Sequence, residues 1–196
     1  MDRIPTNGLP LLWERRLGTG YSAPSVAGGV VVYFHRDGRE EQVEAAEAAT
    51  GRVRWTYAYP SAYTDPYGYN NGPRCTPLIA RGRVYLFGAE GTLTCLNFAD
   101  GKLIWQRRTA EEFEIPQAFF GVGSTPVLEG DKLLVMIGGQ PDAAPGASHQ
   151  GAFAVEAQGG KFRQGHWGVP LGVACLSRGA RRVATYCRCI VTGRLC

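Results

Sequence analysis

The side chains that most often bind metals or act as nucleophiles are six cysteines and three histidines, scattered along the 196 residues. No histidine has a second histidine at the spacing of a metal site (His35, His149, His166). Four cysteines fall in the last 22 residues, as one C-x-C and two separate residues, without the paired C-x-x-C of a zinc site (Cys175, Cys187, Cys189, Cys196). These spacings predict that the chain has no metal site.

Motifs for nucleotide binding and acyl transfer are also missing from the sequence. There is no P-loop, Gly18-Thr-Gly20 is not followed by the glycines of a dinucleotide site, and no G-x-S-x-G is present. Two pairs of glutamates fall in charged segments where solvation accounts for them (Glu40, Glu41, Glu111, Glu112). Cys75 and Cys95 fall within predicted strands, where they are expected to be buried, small hydrophobes. The sequence therefore predicts no catalytic residue.

Two long connections carry the residues with the clearest binding chemistry. Residues 59–73 contain four tyrosines and two asparagines and end next to Arg74, and residues 110–123 have a similar character. One interpretation is that these tyrosines only pack at the rim of the fold, since most loops merely connect. The other is an aromatic patch that faces a ligand, because tyrosine offers a rigid ring and a polar tip. In that case Tyr67, Arg74, Gln117 and Phe120 are expected to line one face, within about 15 Å of each other.

These connections join copies of a repeat about 50 residues long. Three prolines are 53 and 49 residues apart, and two tryptophans are 50 apart (Pro24, Pro77, Pro126; Trp55, Trp105). The second copy, residues 74–105, reads as four short apolar runs separated by dipeptides that end in glycine, which predicts two-residue turns (Arg81-Gly82, Glu90-Gly91, Asp100-Gly101). Residues 42–49 are rich in Ala and Glu and have helical propensity, but the flanking hairpin pattern favours a strand.

A four-stranded unit repeated at this period is typical of a propeller blade. The order S/T-x-P, glycine turn, apolar strand, second glycine turn and T/D-G-K/R-x-x-W resembles the pyrroloquinoline-quinone-type (PQQ-like) β-propeller repeat, over residues 12–164. The resemblance implies an all-β fold, an incomplete β-propeller of four-stranded antiparallel blades. Trp55 and Trp105 are expected to pack between blades. The predicted order is a lead-in at 1–11, an orphan strand at 12–16 and blades at 21–57, 74–108 and 123–164.

The last part of the chain does not continue the repeat. The formal net charge of +4 divides into −3 for residues 1–156 and +7 for residues 157–196, which contain no acidic residue. Residues 165–196 are predicted to be a basic, cysteine-rich tail, and we interpret them as the product of a frameshift or mis-joined gene end near residues 158–165. A genuine tail that binds nucleic acid is the less favoured alternative, because its arginines have neither periodicity nor interleaved aromatic residues.

The function predicted from these features is that of a non-catalytic propeller fragment, which binds or scaffolds through its inter-blade loops. Its partner is expected to be another protein or the missing propeller blades. A fragment of a quinoprotein oxidoreductase is the alternative, but the resemblance implies a quinone stacked on a disulfide between adjacent cysteines, and no such pair is present. No cofactor is therefore expected outside a complete ring. The resemblance implies a periplasmic or secreted location, although the sequence has neither a signal peptide nor an apolar transmembrane segment.

Overall fold

The computed structural model describes residues 11–112, 121–137, 151–156 and 162–163, and these residues form three four-stranded antiparallel sheets. In each sheet the strands follow one another in chain order, as in a meander. The first sheet contains β1 (Ser25–Ala27), β2 (Val30–Asp37), β3 (Glu40–Glu47) and β4 (Val53–Pro60). The second contains β5 (Leu78–Ala80), β6 (Arg83–Phe87), β7 (Thr92–Asn97) and β8 (Leu103–Arg108), followed by the short helix α1 (Thr109–Glu112). The third contains β9 (Val127–Glu129), β10 (Lys132–Ile137), β11 (Gly151–Glu156) and β12 (Phe162–Arg163).

The predicted all-β fold class is confirmed, and so is the strand at residues 42–49, which belongs mostly to β3. This strand pairs with β2 over eight residues and with β4 on its other side. Its alternating residues Val43 and Ala45 are fully buried. Burial of one face in a sheet therefore overrides the helical propensity of Ala and Glu.

One of the three predicted turns in the second sheet is a two-residue turn. Arg81 and Gly82 have φ of 52° and 72°, as a type I′ turn requires at both central positions. The other two connections are longer than predicted: residues 88–91 join β6 to β7, and residues 98–102 join β7 to β8. Each connection has one residue with positive φ, which is Gly91 at 87° in the first and Gly101 at 71° in the second. Each of these glycines thus serves as the left-handed residue of a longer turn.

A single apolar core runs through all three sheets. Its members are aliphatic and aromatic residues on the buried faces of the central strands, with Val32 and Val43 from the first sheet, Leu86 and Leu96 from the second and Leu133 from the third among the fully buried ones. Because one sheet has two faces to cover, each sheet depends on its neighbour for burial.

Two tryptophans make the same contact with successive sheets. Trp55 of β4 donates its indole N–H to the carbonyl of Phe98 at 3.0 Å, and its ring covers Gly101 in the second sheet. Trp13 donates to the carbonyl of Ala48 at 2.8 Å and covers Gly51 in the first sheet. In the first and second sheets the glycine turn is therefore the surface on which a tryptophan from the preceding part of the chain packs.

The predicted orphan strand at residues 12–16 is not a strand in the structure. A strand needs a hydrogen-bonded neighbour, and no described residue pairs with this segment until the isolated bridge between Thr19 and Arg36. The segment is attached instead by the indole of Trp13.

Hydroxyl groups near the S/T-x-P motifs connect the first strands of neighbouring sheets. Ser22 and Ser25 donate to the carbonyls of Cys75 and Pro77, at 2.6 and 2.5 Å. The backbone N–H of Thr76 donates to the hydroxyl of Thr125 at 3.2 Å. These bonds occupy backbone groups that would otherwise be unpaired where the chain enters each sheet.

Two predicted features lie outside the described residues: the lead-in up to residue 10 and the tail at 165–196. The proposed blade boundaries and the interpretation of the tail stay predictions. Within the described ranges, no helix has the length and apolar character needed to cross a membrane.

Two glycines with the same backbone conformation offer a test of the tryptophan contact. Gly82 and Gly101 have φ of 72° and 71°, but a Cβ would meet nothing within 4 Å at Gly82 and would lie 2.5 Å from the ring of Trp55 at Gly101. Gly82→Ala should cost only the strain of a left-handed alanine, about 1–2 kcal/mol. Gly101→Ala should cost about 1–3 kcal/mol more, because it also overpacks the interface. Urea unfolding of both variants measures the difference, and equal losses would show that the ring does not depend on this glycine.

Candidate functional site

The connection between the first two sheets, residues 61–73, is hydrogen-bonded to a buried arginine of the first sheet. Arg36, near the end of β2, donates from its guanidinium to the carbonyls of Ser61, Tyr63 and Asn71 at 2.9, 2.6 and 3.1 Å. Its Nε donates to the carbonyl of Gly38 at 3.0 Å. A planar group with five donors can bind several carbonyls of one loop at once. The path of the connection is therefore fixed by a strand residue far from it in sequence.

A buried aspartate organises the middle of the same connection. The Asp65 carboxylate, whose side chain is fully buried, accepts the backbone N–H groups of Tyr67 and Asn70 at 2.9 and 3.3 Å. It also accepts the guanidinium of Arg74 at 3.2 Å. The first of these is an Asx-turn, in which the side chain replaces a backbone acceptor. Asp65 thus connects the middle of the loop to its end at Arg74.

Arg74 uses its charge inside the connection. Besides Asp65, it donates to the carbonyls of Gly72 and Asn70, at 2.8 and 3.0 Å. Its guanidinium carbon lies 5.1 Å from the ring centre of Tyr63 and 5.8 Å from that of Tyr21, within cation–π range of both. Arg74 therefore stabilises the loop, and most of its N–H donors already have acceptors within it.

The outer face of this connection presents two aromatic rings. Tyr67 and Tyr69 are 50% and 70% exposed, and their rings stack with centres 6.2 Å apart and planes at 20°. We refer to these two residues as the tyrosine pair. Large exposed rings on a loop that is otherwise fixed by buried hydrogen bonds form a rigid, uncharged contact surface.

Of the four residues predicted to line one face, the structure describes two. Tyr67 and Arg74 are linked through the carboxylate of Asp65, as its backbone and guanidinium donors. Gln117 and Phe120 lie outside the described residues. The chain becomes described again at Gly121, where a Cβ would lie 2.9 Å from the ring of Tyr63. The second connection thus reaches the base of the first, and the shared face of all four residues stays a prediction.

The two predicted packing tryptophans occupy equivalent positions. Trp55 pairs with Ala45 and Trp105 with Cys95, and in both sheets the strand register shifts just after this pair. Trp55 contacts the second sheet as described above. Trp105 lies 6.2 Å from the ring of Tyr85 in its own sheet, and the turn equivalent to Gly101 in the third sheet is outside the described residues.

One buried carboxylate was placed wrongly by the sequence. Glu41 was expected to be solvated in a charged turn, but it is 0% exposed, accepting the hydroxyl of Tyr59 at 2.5 Å and the N–H of Ala89 at 2.8 Å. Burial raises the pKa of Glu41 above its ordinary value. The signal was present in the strand period, because position 41 is on the same face as Val43 and Ala45.

The described residues show no set of ligands for a metal ion. They contain no group of three or more His, Cys, Asp or Glu side chains placed to hold one. Burial raises the pKa of both Cys75 and Cys95 to about 12, so these thiols are protonated at neutral pH and unreactive. The site chemistry in this part of the chain is that of aromatic and hydrogen-bonded contact.

Comparison with known proteins identifies the family. The sequence model of the family described as outer membrane protein assembly factor BamB matches residues 9–166, which is most of the chain. The chain belongs to this family. Like other BamB-type chains, it is built from PQQ-like propeller repeats, and the predicted family resemblance is confirmed.

Solved structures and one curated relative share parts of this architecture. The BamB structure from Moraxella catarrhalis is 20% identical, with a TM-score of 0.44, and the alignment covers 74% of this chain and 34% of that one. A quinohemoprotein alcohol dehydrogenase from Comamonas testosteroni is 19% identical, with a TM-score of 0.50, covering 73% and 20%. The serine/threonine-protein kinase AfsK from Streptomyces griseus is 32% identical over 92 residues, which are 47% of this chain and 11% of the kinase. This BamB-type chain thus spans between 11% and 34% of the length of these proteins, and the dehydrogenase likeness shows the propeller fold alone.

The buried aspartate yields a prediction with a matched control. Asp65→Asn keeps the shape but turns an amide N–H toward groups that are themselves donors and leaves Arg74 without its counter-charge. We expect a loss of about 3 kcal/mol or more in unfolding free energy, together with faster hydrogen exchange at the amides of Tyr67 and Asn70. Asp100→Asn removes the partner of Lys102 on the surface and should leave the melting temperature unchanged.

If Asp65→Asn melted like Asp100→Asn, the stability of the connection would not depend on the Asp65 carboxylate. If the amides of Tyr67 and Asn70 kept their protection, the Asx-turn would not depend on the carboxylate.

Proposed function

We propose that this BamB-type chain is a non-catalytic binding module that contacts a protein partner through residues 61–73, with the tyrosine pair at the centre of the contact. The observation that carries the proposal is a loop fixed from below by buried charged groups while its outer face presents stacked, exposed rings. A loop with these properties has no obvious task within its own sheet. It is suited to contact with another molecule.

The energetics of association favour such a surface. A binding loop that is already ordered loses little conformational freedom in the complex, so less of the contact energy is spent on ordering. Tyrosine has few rotatable bonds, buries a large area and keeps a hydroxyl for a hydrogen bond, and it is enriched among residues that dominate interfaces. The tyrosine pair combines both advantages.

The comparisons support a role in contact rather than in chemistry. The family description, an outer membrane protein assembly factor, names a protein that works on other proteins. In this proposal the partner is either a separate protein or further propeller blades. The connection 61–73 faces outward in either case, since Tyr69 is more exposed than any other described tyrosine.

The proposal is tested by selecting binders and asking which surface they use. Peptides selected from a random phage-displayed library on the full chain would be titrated against wild type and against Tyr67→Ser/Tyr69→Ser. We expect the double substitution to weaken binding at least about tenfold, the loss typical of interface hot spots.

The control is a pair of exposed apolar residues outside the connections. Leu103 and Ile104 of β8 are 47% and 41% exposed, and Leu103→Ser/Ile104→Ser should change the affinity by less than about twofold. Selected peptides that lost affinity for the β8 variant and kept it for the tyrosine variant would refute the proposed surface.

The quinoprotein alternative is supported by the propeller likeness to quinohemoprotein alcohol dehydrogenases. The residues present do not fit the group that the resemblance implies. No two cysteines are adjacent in the sequence, and Cys75 and Cys95 lie 20 positions apart in buried surroundings. We therefore expect that adding pyrroloquinoline quinone and calcium to the full chain causes no change in the quinone absorbance and no dye reduction with alcohols. A saturable spectral change would favour the oxidoreductase instead.

A further inference from the structure

Glu41 lies at the interface between the first two sheets and connects them. Its carboxylate belongs to β3, and it accepts the N–H of Ala89, in the connection between β6 and β7, at 2.8 Å. Its other oxygen accepts the hydroxyl of Tyr59 from β4 at 2.5 Å. A Cβ at Gly88 would lie 2.0 Å from this oxygen, so only glycine allows the second sheet to approach so closely. The carboxylate is thus enclosed by both sheets.

The repeat itself does not require a carboxylate at this position. The equivalent pairs Ala45–Trp55 and Cys95–Trp105 align the first two sheets, so that Glu41 and Tyr59 correspond to Gly91 and Thr109. In the second sheet these positions are joined by Thr109, whose N–H and hydroxyl both donate to the Gly91 carbonyl, at 2.9 and 2.7 Å. A neutral, local contact therefore closes the same corner of the blade. The buried acid is a special feature of the first sheet.

The groups that face Glu41 leave its charge poorly compensated. Arg36 is its cross-strand neighbour on β2, and its positive charge lowers the pKa of Glu41, but the guanidinium is hydrogen-bonded to backbone carbonyls and forms no salt bridge with the carboxylate. Glu90, in the same connection as Ala89, adds a like charge, and Cys75 and Tyr59 are protonated. Among the described residues, no Lys or Arg nitrogen is within 4.0 Å of the Glu41 carboxylate. The free-energy cost of burying this charge is therefore offset mainly by two hydrogen bonds.

We propose that Glu41 is a proton-operated latch between the first and second sheets. In the anionic state the carboxylate accepts hydrogen bonds from both sheets but remains a buried charge. On proton uptake, the new O–H donates to the oxygen of Tyr59, while Ala89 keeps its acceptor. Tyr59 can turn its own hydrogen toward the hydroxyl of Thr94, with which it also interacts. The interface then keeps its hydrogen bonds and no longer contains the charge.

The sign of the pH dependence follows from burial. The pKa of Glu41 is raised in the folded chain above its ordinary 4.5, so the folded chain binds this proton more tightly than the unfolded chain. The resulting stability is fully present below pH 4.5 and is lost as the pH rises through the raised pKa. The latch therefore tightens on mild acidification and loosens toward neutral pH.

The test compares the full chain with its Glu41→Gln variant, which has a neutral side chain of similar shape at every pH. Melting temperatures are measured from pH 8 to pH 4, and infrared difference spectra follow the carboxyl C=O stretch over the same range. We expect the melting temperature of wild type to rise relative to that of Glu41→Gln as the pH falls. The rise should be about 3 °C for each unit by which the pKa of Glu41 is raised in the folded chain. A carboxyl band that titrates above the ordinary range of glutamate should be present in wild type and missing in the variant.

Parallel melting curves for the two proteins, or an infrared band with an ordinary glutamate midpoint, would overturn the proposal. Should Glu41→Gln fail to fold, Tyr59→Phe decides the question, with Tyr57→Phe on the same strand as its control. Loss of the Tyr59 hydroxyl removes a donor to the anion and should move the infrared midpoint to higher pH. The Tyr57 hydroxyl is 3.5 Å from Gln106 and has no contact with Glu41, so its removal should leave the midpoint in place. Equal midpoints in both tyrosine variants would also reject the latch.

Discussion

The need of each sheet to have both faces covered is the constraint on which the structure depends. A four-stranded meander has too little buried surface of its own, so its stability comes from contact with the next copy. Trp55 and Gly101 show how the repeat meets this need: the ring supplies the area and the glycine supplies the space. Because the Trp55 ring and the Gly101 turn are 46 residues apart, the first sheet is completed only when the following repeat has folded. The three sheets accordingly share one core.

This dependence explains why polar groups occur at the interface between the first two sheets. Sheets that approach closely bring their connections together, and the backbone groups of those connections must find partners. Arg36 donates hydrogen bonds to backbone carbonyls in residues 61–71, and Glu41 accepts a hydrogen bond from the N–H of Ala89. The two side chains are cross-strand neighbours, yet each also binds a backbone group of another segment. They therefore fix the position of the connections at this interface.

The sequence was sufficient to predict the sheets because the repeat is carried by local signals. Glycine turns, β-rich runs and the two tryptophans at equal spacing define strand order without knowledge of any tertiary contact. The length of the turns was less predictable, since the residue before Gly91 or Gly101 need not share its positive φ. Arg36, Glu41 and Asp65 were not predicted as site residues, because most of their partners are backbone groups that any sequence provides. Tyr67 and Arg74 were singled out by composition, but only the structure shows that Asp65 links them.

Function in a repeat protein should be sought where one copy departs from the others. Positions 21, 74 and 123 precede the same motif in each copy, yet they hold Tyr, Arg and Gly, and they meet in space: Arg74 lies over the ring of Tyr21, and a Cβ at Gly123 would lie 3.7 Å from Arg74. Glu41 and Gly91 differ in the same way. Shared positions account for the fold, which many proteins of different activity have in common. The departures at the first interface, by contrast, place buried charge beneath exposed aromatic rings, an arrangement that the repeat alone does not need.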